Sequence, residues 1–408
     1  MTYSVFLSPE DNIIGWAACL FLFAPITIFV LRDAQVPRKA VIASLVVRIV
    51  YMIYNTYFST LLVDPFEELA ASASALGWNA VWLEFGPNSQ LYLFFCSILY
   101  LLIGRNPIAL QGINISLSVW TVILVALIAR RFGGFRAGRM AAWLVGMMPS
   151  SVIFSTVILR EAVVVFPMIL GVYVWLVYLR RNTPFSSAVA LVCFTASFAF
   201  HYGCIALLVA WAAIFTYKQI QQQRDALGKM AFVCVGCIVS SGVLVLLYYA
   251  GVLTALMPGS ANILEISPEV VGVGLQVAAR DRAAYLQDVV LSSPVDLLWQ
   301  LPIRIVYFVL APFPWMWTSM VDALGALDMM IYLSMFIIAY STRRYWARSI
   351  EMCSVAITFA ICVAMFSVGT SNYGTAIRHR AKFFPLIAVV AATGLAMRQG
   401  RLSGRLRG

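Results

Sequence analysis

A cluster of three carboxylates and a single glutamate in this sequence have residue types and spacing that could do chemistry. Asp64 opens the stretch DPFEELAASASALGW, and Glu67 and Glu68 follow three and four residues later. Positions at these separations share one face of a helix, so a helix that starts at Pro65 places the three carboxylates together. A carboxylate facing a cavity can act as a general base or bind a cation. The alternative is a helix N-cap, because aspartate before proline is a common helix start.

The second carboxylate is Glu161, which with Arg160 interrupts an otherwise apolar stretch, 140–179. Ionisable residues between two apolar runs indicate a functional site, or else a tight turn closed by a local ion pair. His201 splits another apolar stretch, 186–217, at a predicted turn between two short helices. This histidine is either a satisfied structural residue or a contact for a phosphate or hydroxyl group.

A basic cluster follows near the end of the chain, in SNYGTAIRHRAKFFP. It contains Arg378, His379, Arg380 and Lys382. The planar guanidinium of arginine suits the oxygens of a phosphate group, so the cluster predicts an anion site. Contact with lipid headgroups is the alternative.

The elements that position these residues are predicted to be membrane helices. Of the 408 residues 62% are hydrophobic and 11% charged, against about 45–50% and about 25% in soluble domains. The apolar residues form runs near the length that crosses a bilayer. We expect an all-α polytopic bundle, one transmembrane domain over 1–408 with about eleven crossings: 12–31, 40–63, 107–129, 140–158, 162–179, 186–200, 203–217, 230–250, 323–341, 350–368 and 383–397.

The positive charges predict the orientation. The net charge of +11 comes largely from short basic clusters between apolar runs, which are typical of topology signals rather than of a nucleic-acid-binding surface. Six clusters fall on one side if 91–104 and 301–320 do not cross, so we expect these two stretches to be interfacial or re-entrant on the outer face. The N-terminus is then outside and the C-terminus cytoplasmic. Two outer segments, 62–106 and 251–322, are long, and 398–408 is a basic cytoplasmic tail.

The predicted outer face therefore combines carboxylates with a basic cluster. A carboxylate that takes a proton from an acceptor hydroxyl, and cations that stabilise a departing phosphate, fit glycosyl transfer from a lipid-linked phosphosugar. The transition state at the anomeric carbon would resemble that of glycoside hydrolysis.

The order of these features resembles the polytopic GT-C glycosyltransferases, over about 40–217 and 370–397. The likeness rests on Asp64 after a crossing and on four later segments: YLLIGRNPIALQGINI, ARRFGGFRAG, MMPSSVIFSTVILREAVVV and NYGTAIRHRAKFFPLIAV. The predicted helix 12–31, ahead of the family's usual first crossing, departs from the pattern, as does the sequence directly after Asp64.

The resemblance implies an inverting, hexosyltransferase-type enzyme of the bacterial inner membrane that acts in surface-polysaccharide synthesis. Its partners would be a polyprenyl-phosphate-linked or pyrophosphate-linked sugar donor, a glycan or glycolipid acceptor, and membrane lipid. The family leaves dependence on a divalent metal open. The resemblance implies that Asp64 and Glu161 are catalytic carboxylates, and Glu67 joins them as a candidate. The predicted donor-phosphate contacts are Arg378, Arg380, Lys382, His201 and Arg160.

Two other functions stay open. The sequence is also similar to O-antigen and exopolysaccharide repeat-unit polymerases, which would depend more on arginines of the long outer segments, such as Arg280, Arg282 and Arg304. A membrane transporter or flippase would instead need paired charges near mid-membrane, broken helices and repeats. Arg48 is the clear charge in the middle of a predicted helix, and no repeat is visible.

Overall fold

The described part of the molecule is an all-α bundle. The structure is a computed structural model, and it describes residues 8–58, 65–86, 88–222, 283–286 and 296–405. Within these ranges there is no β-strand, and one isolated bridge pairs Ala284 with Asn372. The helices are α1 Pro9–Arg32, α2 Arg38–Tyr57, α3 Pro65–Ala75, α4 Trp78–Leu83, α5 Ser89–Ile103, α6 Pro107–Met147, α7 Pro149–Thr156, α8 Glu161–Arg181, α9 Pro184–Phe200, α10 Ile205–Gln222, α11 Asp296–Leu310, α12 Met320–Ser341, α13 Arg343–Trp346, α14 Ile350–Val368 and α15 Tyr373–Arg405.

Local sequence signals explain where several of these helices begin. Proline stands at the start of α1, α6, α7 and α9, where its missing N–H is not needed and its fixed φ suits a helix. Ser8 caps α1: its hydroxyl accepts from the backbone N of Asp11, and the Asp11 carboxylate accepts from the backbone N of Ser8. This reciprocal pair is a capping box.

Helix α6 is two helical segments joined by a reversal at Gly134. Gly134 has φ 72° and ψ −173°, a backbone conformation that favours glycine. Arg48 of α2 bonds both Ser118, before the break, and the carbonyl of Gly146, after it. A straight helix would separate those two residues by about 40 Å, so the chain turns back at Gly134. The predicted crossings 107–129 and 140–158 therefore lie on the two sides of this turn, the second continuing into α7.

The described residues include eight helical stretches that are long and apolar enough to cross a membrane. They are Pro9–Arg32, Arg38–Tyr57, Pro107–Met147, Glu161–Arg181, Tyr202–Gln222, Asp322–Ser341, Ile350–Val368 and Tyr373–Gly400. A helical integral membrane protein is thus what the sequence encodes. The predicted crossing 186–200 falls on the shorter apolar helix α9, and 230–250 lies outside the described residues. The total of about eleven crossings stays a prediction.

The predicted inner loops come together at one end of the bundle. Arg130 Nη1 donates to the backbone O of Gln35, 2.7 Å away, which joins the loop after α1 to the Gly134 turn. Gly133 packs against Thr393 of α15, and the next residue of α15 packs against Thr342, just before α13. The basic clusters after α1, at the Gly134 turn and beside α13 therefore lie at one end of the bundle. The C-terminal basic cluster begins at the same end, where α15 ends.

Two further basic clusters, one at the end of α8 and one at Lys218 of α10, lie at the same end. Lys218 Nζ donates to the backbone O of Leu179, 3.2 Å away, beside the basic residues that close α8. Tyr217 and Arg348 line one groove between α10 and α14. We call this the basic end of the bundle and the opposite end the site end.

The stretch 91–104 forms α5, which lies across the site end rather than along the bundle. At its start, Asn88 N donates to the carbonyl of Ala199, 2.7 Å away. Beyond its end, Asn106 Nδ2 donates to the carbonyl of Asp11, also 2.7 Å away. Both partners sit at the site end of their helices, so α5 begins and ends on the same side, and an interfacial position for 91–104 stays a prediction.

Candidate functional site

The centre of the candidate site is the carboxylate of Glu161, the first residue of α8. It is 4% exposed and carries two cations from α15. Arg378 donates to both carboxylate oxygens through Nε and Nη2, and Lys382 Nζ lies 3.1 Å from Oε1. Arg378 and Lys382 are four residues apart, so they share one helix face. The positive end of the α8 dipole also favours a carboxylate at this position.

Two histidines extend the cluster. Lys382 Nζ lies 3.0 Å from His379 Nδ1, and because an ammonium can only donate, Nδ1 accepts. The ring of His201 meets that of His379 edge-on, with centroids 5.1 Å apart. Burial lowers the pKa of His201 well below its ordinary value, and the charges of Lys382, Arg160 and Arg378 lower it further. His201 is therefore neutral at physiological pH.

Arg160 connects this cluster to the elements that lie across the site end. Its Nη1 donates to Asn88 Oδ1, before α5, and to the carbonyl of Phe200, 3.1 Å away, at the end of α9. Asn88 was not predicted, because an asparagine before a helix is typical of a turn and its partner is 72 positions away. Arg160 is thus a bridge between α5, α8 and α9.

Three basic side chains of this cluster are close enough to act on His201. They are Arg160, Arg378 and Lys382, and the last two also pair with Glu161. The guanidinium fork suits phosphate oxygens. Arg378 keeps 30% of its side chain exposed, so a ligand can reach it, whereas Lys382 is fully buried.

A small cavity lies between Glu161 and the middle of the bundle. Its volume is about 30 Å³, the space of about one water molecule. Glu161 and Lys382 line one side, and Ser118, Ser151 and Ser155 line the other. A polar region therefore extends from the site end toward the centre of the bundle.

Arg48 lies on the far side of those serines and is completely buried in α2. None of the ion pairs in the described residues involves it. Its guanidinium donates instead to four serine hydroxyls, those of Ser44, Ser118, Ser151 and Ser155, and to the backbone O of Ser44 and Gly146, at 2.6–3.2 Å. The serines give no periodic signal in sequence, so the network was not predicted.

We expect Arg48→Met to lower the free energy of unfolding by about 3 kcal/mol. The Gly146 carbonyl and the serine hydroxyls lose a donor, and a buried group left unsatisfied costs about 1–3 kcal/mol. Unfolding by denaturing detergent in mixed micelles measures the change. Arg136→Met, at an exposed arginine, is the matched control and should leave stability within about 0.5 kcal/mol. Equal stability of the two variants would contradict the structural role of Arg48.

The structure places Arg380 and Glu67 outside the Glu161 cluster. Arg380 is buried, and its Nη1 donates to the carbonyls of Val309 and Ala311, 2.6 and 2.7 Å away, at the C-terminal end of α11. Residues two apart on a helix do not share a face, so Arg378 and Arg380 point to different neighbours. Arg380 thus supplies donors to helix-end carbonyls that have no partner within their helix.

Glu67 forms a separate ion pair between α3 and the end of α5. Arg105 Nε and Nη2 donate to its two oxygens at 2.8 and 2.6 Å, and Tyr100 Oη donates to Oε1 at 3.1 Å. With both oxygens engaged and no exposed surface, Glu67 is placed to fix α3 on α5. This arrangement accounts for Glu67 without a role in proton transfer.

Several predicted residues lie outside the described part of the chain. These are Asp64, Arg280 and Arg282. Arg304, the third arginine named for a polymerase, donates to Gln300 Oε1 on its own helix, with Nη2 2.9 Å away. Among the described residues, no group of three or more His, Cys, Asp or Glu side chains is placed to hold a metal ion.

The chain matches no model of a known protein family and no curated protein sequence. The cluster around Glu161 is therefore interpreted from its own chemistry.

Proposed function

We propose that the chain is a membrane glycosyltransferase of the GT-C type, which moves a sugar from a polyprenyl-phosphate-linked donor to a glycan or lipid acceptor. The observation that carries the proposal is the buried Glu161 carboxylate held by Arg378 and Lys382, beside Arg160 and His201, at the end of the bundle opposite the basic clusters. By the positive-inside rule the basic end is cytoplasmic, so this site faces the outer side of a bacterial inner membrane.

In this proposal the cations act on the donor phosphate. Arg378, which is partly exposed, contacts the phosphate oxygens directly, and Lys382 and Arg160 add positive potential behind it. Cations fixed in place before the reaction stabilise the charge that develops on the leaving phosphate. Glu161 holds Arg378 and Lys382 in position, and neutral His201 offers a hydrogen bond to a phosphate or hydroxyl group.

Asp64 is the proposed general base that takes the proton from the acceptor hydroxyl. The assignment rests on the resemblance and on the order of the chain, in which Asp64 directly precedes α3 at the site end. The described carboxylates support it indirectly. Glu161 is paired with Arg378 and Lys382, and Glu67 with Arg105, so both carboxylates are held in ion pairs rather than open to an acceptor hydroxyl.

A transporter of an anionic lipid-linked substrate is the second candidate. It is favoured by the fully buried Arg48 in a membrane-spanning helix and by the cavity that separates it from Glu161. Buried charges within membrane helices are features of transport pathways.

The deciding experiment is the surface-glycan profile of a host that lacks this gene, with and without the wild-type gene restored. A full ladder of glycans that lack one sugar, restored by the gene, supports a single-sugar transferase. Single unpolymerised repeat units would instead identify a repeat-unit polymerase. An unchanged profile would contradict both, and movement of a labelled lipid-linked sugar across proteoliposomes would then identify a transporter. Measuring sugar transfer with and without a chelator shows whether the reaction depends on a divalent cation.

A further inference from the structure

The basic end of the bundle carries a pocket whose chemistry neither candidate function uses. Its volume is about 600 Å³, and it lies between the loop after α1, the start of α2 and the second segment of α6. Three exposed cations line it, Arg38, Lys39 and Arg139, together with the aromatic rings of Phe135 and Trp143. Basic residues and aromatic rings side by side are typical of the membrane–water interface.

The pocket is unbalanced in charge. No aspartate or glutamate is among its lining residues. Asp33, in the same loop, accepts instead from the backbone N of Gln35, 2.7 Å away. Arg130 adds a further positive charge beside the pocket, since its guanidinium stands 5.4 Å from the ring centroid of Phe135. An anionic group is the complement that this surface lacks.

One of the cations is held rigidly. Arg38 Nε and Nη2 donate to the carbonyls of Val30 and Leu31, 3.1 and 2.8 Å away, at the end of α1. The side chain therefore satisfies carbonyls at a helix end while its charge stays at the pocket. A guanidinium fixed in this way loses little conformational entropy when an anion binds.

An apolar groove continues from the same pocket. Its volume is about 270 Å³, its lining is entirely apolar, and it shares Trp143 with the cationic pocket. From Trp143 it runs along Leu144 of α6, Met335 of α12 and Leu395 of α15. A cationic pocket joined through one tryptophan to an apolar groove matches the two parts of a phospholipid, a headgroup and an acyl chain.

We propose that this composite surface is a binding site for an anionic phospholipid. The headgroup phosphate lies among Arg38, Lys39 and Arg139, and one acyl chain follows Trp143 into the apolar groove. The occupant carries a net negative headgroup, as phosphatidylglycerol does, because a zwitterionic headgroup would bring its own cation next to three others. Basic pockets between membrane helices bind anionic headgroups by the same electrostatics.

The test is native mass spectrometry of the full-length protein in neutral detergent, titrated with dioleoylphosphatidylglycerol or dioleoylphosphatidylcholine. We expect wild type to bind the anionic lipid at least tenfold more tightly. Lys39→Ala/Arg139→Ala should weaken binding of the anionic lipid about 25-fold, since each cation near a membrane surface contributes about fivefold. Both side chains are exposed, so the variant should fold.

The matched control removes the same charge from another part of the basic end. Arg343→Ala/Arg344→Ala, at two exposed arginines, should keep the preference for the anionic lipid. Trp143→Ala should weaken the binding of both lipids by the same factor, because it shortens the apolar groove without changing the charge of the pocket. Equal binding of the two lipids by wild type would overturn the proposal. An equal loss in the two double variants would also overturn it, because the effect would then come from bulk charge.

Discussion

Replacing Glu161 with glutamine should abolish sugar transfer and lower the free energy of unfolding by about 3–5 kcal/mol. The carboxylate is 4% exposed, and it is the described anion that pairs with both Arg378 and Lys382. Glutamine keeps the shape of the side chain but removes the negative charge. Lys382, which has no exposed surface, would then keep its ammonium in the bundle with His379 as its remaining polar contact among the described residues. Removing one partner of a buried ion pair leaves the charge of the other partner uncompensated.

Second-site variants separate the effect on stability from the effect on chemistry. Glu161→Gln/Lys382→Met removes the buried anion and the fully buried cation together, so it should recover most of the lost stability. Arg378 is partly exposed and can turn toward water. Activity should stay absent in the double variant, because Arg378 is no longer held in position for the donor phosphate.

Glu351→Gln is the matched control for the single variant. Glu351 also lies in the first turn of a membrane helix, α14, but at the basic end, where it accepts from Ser349 Oγ 2.7 Å away. Detergent-induced unfolding and the transfer assay should both be close to wild type in this variant. If Glu161→Gln behaved like Glu351→Gln in both measurements, the ion cluster would have neither the structural nor the functional role proposed.

The helices and the distribution of charge were predictable because they depend on local composition. Apolar runs near 20 residues identified the membrane helices, and the gathering of basic loops at one end followed from counting clusters. The stretch 91–104 was expected not to cross, which stays a prediction; α5 starts near Ala199 and ends near Asp11.

The pairing of side chains was predictable only in part. Glu161, Arg378, Lys382 and His201 were singled out because ionisable residues are rare in apolar surroundings, and the structure brings them together. Nothing in the spacing indicated that Glu161 pairs with a residue 217 positions away. Partners at such distances depend on how the helices pack.

The partners of Arg380 could not be inferred from its residue type. It stands in the same basic stretch as Arg378 and has the same chemistry, yet it donates to carbonyls of α11. Which backbone groups lack a partner is known only once the helix ends are placed. The network of Arg48 was missed for the same reason, since its acceptors are scattered serines and two backbone carbonyls.

Asp64→Asn should lower the rate of sugar transfer by about 10²–10⁴-fold, the contribution of a positioned general base. Stability should be unchanged if Asp64 acts in proton transfer, whereas loss of a helix cap would lower it by about 1 kcal/mol. Measuring transfer and detergent-induced unfolding on the same preparation separates the two roles. Full activity of Asp64→Asn at normal expression would remove Asp64 from the site.

Glu68→Gln is the matched control, because it removes the same charge four residues after Asp64. Glu68 is exposed and lines an open groove between α3 and α5, whereas Glu67 beside it is buried against Arg105. Glu68→Gln should transfer sugar at close to the wild-type rate. An equal loss of activity in the two variants would mean that the acidic surface of this segment acts as a whole, for example by attracting a cation, and that no single carboxylate is the base.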